Sequence, residues 1–232
     1  MAAPAEGKIA PSRMDLIHRW IAEAFRRVGV ALRATAPPTG PVPLTRILEA
    51  FHITLQPVPG LTRGKAREFL RLSAVEERLA ESEKSPLAGL MVTRPAGSVV
   101  LVNAQDILTR RRFTVAHELG HHLLHQPRNQ QGILRYDLTA EDGGNLSGEE
   151  LGRIEAEAHA FAANLLMPES WMRAWFAQQG NGTVISPGLA ASRLATLLLV
   201  SRQATIRRLA DLGLTADATE DAASEEAGDG DA

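Results

Sequence analysis

At 232 residues with 44% hydrophobic content, the chain can bury a real core, enough for one catalytic domain and a small appendage. No apolar run approaches the roughly 20 residues that span a bilayer, and MAAPAEGKIAPSRMD at the start lacks a signal-peptide core, so a cytoplasmic protein without membrane contact is expected. The absence of cysteine excludes disulfides and thiolate chemistry; the net charge of -2 splits into seven acids beyond Leu214 and a body of formal +5, too little to argue for nucleic acid.

In chain order, Ser12 followed by Asp15 predicts a capped helix whose apolar positions are Met14, Ile17, Trp20, Ile21, Phe25 and Val28, ending before Pro37. After the turn-rich APPTGPVP, Leu44 to Phe51 reads as a short helix and Ile53 to Val58 as a strand. Gly64 to Ser82 is charged and free of breakers, which predicts a surface helix. Two short apolar runs, Leu90 to Val92 and Val99 to Val102, flank a turn and predict antiparallel strands, the second leading straight into the next helix. Asn103 to Arg112 reads as an N-cap and helical lead-in, its three arginines Arg110, Arg111 and Arg112 forming a solvated face.

Arg112 to His125, RFTVAHELGHHLLH, carries the chemistry. Phe113, Val115, Ala116, Leu119, Leu123 and Leu124 recur at helical spacing without proline, so one face is buried. Positions four apart on a helix differ by roughly 40° and one turn, which lets His117 and His121 grip one ion. Glu118 lies too far round the helix to be an easy third ligand, yet its carboxylate can take a proton from water. His122 falls on another side and reads as part of a solvated face. His125, four beyond His121, reads as a supporting residue or the helix end. The strand before this helix is either sheet core or a cleft rim that pairs with an extended peptide.

Gln126 to Ser147 is polar and glycine-rich, a long loop near the cleft that contains the one tyrosine, Tyr136, a loop anchor or an oxyanion donor. Gly148 to Leu166 then predicts a second helix with candidates for a third ligand. Glu155 and His159 share a face, whereas Glu157 lies about 200° round from Glu155; spacing alone places Glu155 slightly ahead of His159, with His159 as hydrogen-bonding or transition-state partner.

FTVAHELGHHLLH followed by EAEAHAFAANLLMP resembles the ImmA/IrrE family of bacterial metallopeptidases. The resemblance implies a zincin-like fold, His117, His121 and Glu155 as ligands of zinc, with manganese as the alternative ion, and Glu118 as catalytic base. His159 departs from the asparagine common in relatives. Downstream, Ser186 and Pro187 open a helix, and Val200-Ser201 precedes another, a pattern like the family's helix-turn-helix segment. With Arg202, Arg207 and Arg208 followed by an acidic tail, packing or partner docking is favoured there over DNA reading.

These readings predict a mainly helical α+β protein: a zincin-like domain over residues 12–180 with a small antiparallel sheet, a helix-turn-helix-like segment at 186–214, and a disordered acidic tail at 215–232. The function the resemblance implies is cleavage of a helix-turn-helix repressor, derepressing stress-response or mobile-element genes. Two alternatives are a DNA-binding regulator and a non-proteolytic toxin-antitoxin component with a structural metal site.

Overall fold

The computed structural model describes residues 9–32, 37–70, 84–94, 97–125, 147–179 and 185–214. The loop carrying Tyr136, the far end of the charged helix expected to reach Ser82, and the acidic tail all lie outside the described residues. Helix α1 (Pro11–Arg27) starts at its proline rather than at a Ser12–Asp15 cap, because Pro11 occupies the first turn, where a missing N–H is harmless. Ile17, Ile21, Ala24 and Phe25 form its buried stripe. Helix α2 (Leu44–Ala50) leads into β1 (Ile53–Val58), then α3 (Arg63–Leu70), β2 (Gly89–Arg94) and β3 (Gly97–Asn103).

The sheet has the order β1-β3-β2. β2 and β3 form the expected antiparallel pair, with Leu90 opposite Leu101 and Met91 opposite Val100. β1 runs parallel to β3, so the sheet is mixed rather than antiparallel, a consequence of the α3 segment intervening before the chain returns. β3 is central, with Ser98 and Val100 to Val102 buried, which gives it the role of sheet core; β1 and β2 are the edge strands among the described residues. One face of the sheet closes over Leu61, Ala66 and Leu87 with Leu90, Val92 and Leu101. By strand alternation the opposite face carries Gly89 and Met91, and Gly89 abuts Thr114 and Glu118.

Helix α4 (Leu108–His125) packs on β2 and β3 and against α5 (Gly148–Leu166), which in turn packs on α1. α5 opens with a capping box: Ser147 Oγ accepts from Glu150 N at 3.2 Å, and Glu150 Oε2 accepts from Ser147 N at 2.9 Å. Ala158, Phe161, Ala162, Leu165 and Leu166 then bury one stripe. Fully burying side chains such as Phe161 and Leu119 contributes about 1.5–3 kcal/mol each, so this helix pair is held mainly by apolar packing.

The chain divides into two compact units, one comprising residues 1–32 and 42–166, the other 33–41 and 167–232. In the second, α6 (Glu169–Gln179) precedes α7 (Pro187–Leu198) and α8 (Arg202–Asp211). Ser186 caps α7 and Ser201 caps α8, each accepting a backbone N–H three residues on. Between them Leu199 takes a left-handed conformation at φ 52°, giving the short turn of a helix-turn-helix-like pair. Arg208 is turned inward, its Nε donating to Met167 O at 3.3 Å, and Arg202 donates to Ser192 Oγ at 3.2 Å.

Candidate metal centre

Three donors converge where α4 faces α5. His117 Nε2 and His121 Nε2 lie 2.9 Å apart, and the Glu155 carboxylate approaches them at 3.3 and 3.2 Å. Helical spacing supplies the first pair; the close packing of α5 on α4 supplies the third donor. Around a four-coordinate ion with bonds of about 2.0–2.1 Å, ligand atoms stand about 3.3 Å apart. The three residues thus fit a small divalent ion with shifts of a few tenths of an ångström.

The electrostatics agree with that fit. Burial pushes the Glu155 carboxyl up, but the two imidazoles outweigh it and hold the group down at about 2, so it is ionised. Burial dominates at His121, lowering it to about 4 and leaving the ring neutral at physiological pH. A neutral imidazole and an ionised carboxylate are the forms that bind a cation.

Glu118, buried on α4, lines a cleft of about 320 Å³ together with His117 and Glu155. Ala88, Gly89, Thr114, Phe113, Arg110 and His159 complete the lining. His159 is exposed at the edge of the cleft, its ring centroid 4.7 Å from that of His117 and 5.4 Å from that of Phe113, outside the three converging donors. Glu157 turns away from the ions' place altogether. Its carboxylate accepts from Arg13 Nε at 3.0 Å and from Arg13 Nη2, and it lies 2.9 Å from His125 Nε2. His125 Nδ1 is 3.3 Å from His121 Nδ1. Burial pushes the Glu157 carboxyl up, yet Arg13 and then His125 outweigh it and the group is held below its ordinary value.

Two surface expectations are corrected here. His122 is half-buried, with Nδ1 3.4 Å from Thr93 Oγ1 on β2, because α4 lies across the sheet rather than presenting that side to solvent. Of the three arginines, Arg110 is exposed and pairs with Asp106 at 3.2 Å, but Arg112 reaches inward to donate to Val42 O at 3.0 Å. Burial lowers the pKa of Arg112 accordingly. The cleft residues Ala88, Gly89, Thr114 and Phe113 went unmarked in the sequence, since small or apolar types at a strand start or helix face carry no chemical signal of their own.

No helix among the described residues is long and apolar enough to cross a membrane. No curated protein matches the chain. Residues 75–210, more than half of the chain, match the IrrE N-terminal-like domain, a peptidase family. The match contains α4, α5 and all three converging donors, which joins metallopeptidase chemistry to the geometry just described. The chain belongs to the IrrE N-terminal-like domain family of peptidases.

Proposed function

We propose that this protein is a zinc-dependent endopeptidase in which His117, His121 and Glu155 hold the ion and Glu118 is the base, with a helix-turn-helix repressor as substrate. The observation that carries the reading is the convergence of two imidazoles and a carboxylate, two of which, His117 and Glu155, line the same cleft as Glu118. When bound, the ion supplies a Lewis acid that polarises the scissile carbonyl and acidifies water, and manganese is the alternative occupant. Glu118 takes the proton from the attacking water; the water oxygen bonds to the carbonyl carbon, and Glu118 returns the proton to the nitrogen as the C–N bond breaks. The burial of Glu118 against Gly89 and Thr114 fixes it at the cleft wall.

β2 supports a mode of substrate binding. Its outer edge is unpaired among the described residues, and its first residue, Gly89, lines the cleft, so an extended backbone can add to it as a further strand. His159, which lines the cleft, is assigned a supporting role for the developing oxyanion. The repressor substrate, and with it a role in derepressing stress-response or mobile-element genes in the cytoplasm, follows from the family resemblance.

Direct DNA reading by α8 is the second possibility, favoured by the short α7–α8 turn. It loses ground because Arg208 is turned inward and Arg202 is engaged on α7, which leaves fewer cations for phosphates. One experiment tests the proposal: incubate the zinc-loaded protein with purified helix-turn-helix repressors, and identify fragments by mass spectrometry. A defined new terminus that disappears with chelator supports it. Intact repressor after long incubation, together with salt-dependent, sequence-specific DNA binding, supports the regulator reading instead.

A further inference from the structure

A line of polar side chains runs from the donor cluster into the interior: His121, His125, Glu157 and Arg13. None of the four is among the residues lining the cleft, so they do not meet substrate there. Glu157 is only 1% exposed, and such a carboxylate needs compensating partners. Arg13 supplies one of them from α1, 144 residues away in sequence and outside the segment matched to the family. His125 supplies the other.

We propose that His125, Glu157 and Arg13 form a positioning array that fixes the ring of His121 for metal binding; the proposal rests on the metallopeptidase reading. The hydrogen-bond directions leave one consistent arrangement. An imidazole that gives its Nε2 lone pair to a cation carries its proton on Nδ1. The Nδ1 of His121 faces His125 Nδ1 at 3.3 Å, so His125 must accept there and carry its own proton on Nε2. That nitrogen lies 2.9 Å from Glu157 Oε2, which accepts as an ionised carboxylate. Arg13 then donates to both carboxylate oxygens, with Nε 3.0 Å from each.

Every link therefore has one donor and one acceptor, and the line ends on an ion pair. A simple clamp between α1 and α5 would need Arg13 and Glu157 alone. The histidine between the carboxylate and the ligand is what makes it a device for orienting His121, as carboxylate–histidine pairs do around other metal sites.

The test measures Zn2+ affinity by competition with a chromogenic chelator, alongside thermal unfolding of the metal-free protein. Wild type is compared with His125→Ala, His125→Gln and His117→Ala, and the 15N resonances of histidine-labelled, Zn2+-loaded wild type are recorded. His125→Ala should weaken Zn2+ binding by roughly ten- to a hundredfold, beyond the lowering of metal-free unfolding that the loss of a partner of Glu157 brings. His125→Gln should recover part of that loss, because an amide offers both an acceptor and a donor. In the loaded wild type His121 should be protonated at Nδ1 and His125 at Nε2. Undiminished Zn2+ affinity in His125→Ala overturns the proposal even if that variant melts lower, as does a His125 proton found on Nδ1. Should wild type fail to bind Zn2+, or His117→Ala bind it equally well, the metal reading fails and this inference with it; if wild type binds and His125→Ala matches it, the inference alone fails.

Discussion

Gly120 of α4 meets Phe161 of α5 so closely that a Cβ added to the glycine would lie 3.0 Å from Phe161 Cδ1 and 3.1 Å from its Cβ. Phe161 is fully buried, so it has little room to turn aside. The glycine thereby sets the separation between the helix bearing His117 and His121 and the helix bearing Glu155. Gly120→Ala gains about 1 kcal/mol of helix propensity and loses about 1–3 kcal/mol to overpacking. Metal-free stability should therefore change by no more than about 2 kcal/mol, while metal affinity falls by roughly tenfold as Glu155 is pushed from the histidine pair. Calorimetric metal titration beside urea unfolding checks this; equal affinity would show that helix spacing does not govern the donors.

Metal occupancy should separate Glu155 from its neighbour on the same face. Glu155→Gln should bind far less than one ion per chain, because a neutral amide replaces an ionised donor. His159→Ala should retain full occupancy, since His159 stands outside the donor cluster. Elemental analysis after dialysis against trace metal decides, and the reverse pattern would make His159 the ligand.

Glu118→Gln should keep fold and metal while cleavage falls by roughly a hundredfold or more, the scale of a lost general base. The amide matches the carboxylate in size, so Gly89 and Thr114 keep their packing. Single-turnover cleavage of a peptide spanning the cut bond measures the loss; unchanged turnover would refute Glu118 as the base.

Acid should weaken the metal-free protein in two stages. His121 has its pKa lowered to about 4 by burial, so as pH falls below the ordinary histidine value of about 6.5 the unfolded chain takes up the proton first. Stability present above about pH 6.5 is lost as pH falls towards 4, on the order of 3 kcal/mol at 1.36 kcal/mol for each pH unit of separation. Glu155, held down at about 2, continues the decline below its ordinary value of about 4.3. Urea midpoints across this range should show the slope, and His121→Gln should flatten its upper part.

How far the sequence reached follows from the range over which each feature is determined. The His117–His121 pair was legible because four-residue spacing is a local property of a helix, and the capped start of α7 at Ser186 was legible for the same reason. Glu155 needed the family motif to place it ahead of His159, since both share a face and only the packing of α5 on α4 says which reaches the histidines. The part played by Glu157 was not readable at all. Its direction depends on Arg13, brought in by α1 from the far end of the unit. Arg111 and Arg112 misled for a related reason: charged type suggests solvent, whereas each has a buried Nε without a hydrogen-bond partner among the described residues. The parallel β1–β3 pairing was likewise hidden, because strand direction is set by the intervening segment and not by the strand's own residues.

The distribution of donors over α4 and α5 also bears on when a chain of this design acquires activity. A polypeptide extending through His125 already contains the complete His-Glu-x-x-His pattern, yet it lacks the anionic donor, which arrives only with α5. Closing so distant a contact must await synthesis and docking of the later helix. Under the proposed chemistry, a nascent chain is therefore kept from hydrolysing its surroundings until the helix pair is complete. A nick between α4 and α5 followed by their separation would return it to that harmless condition.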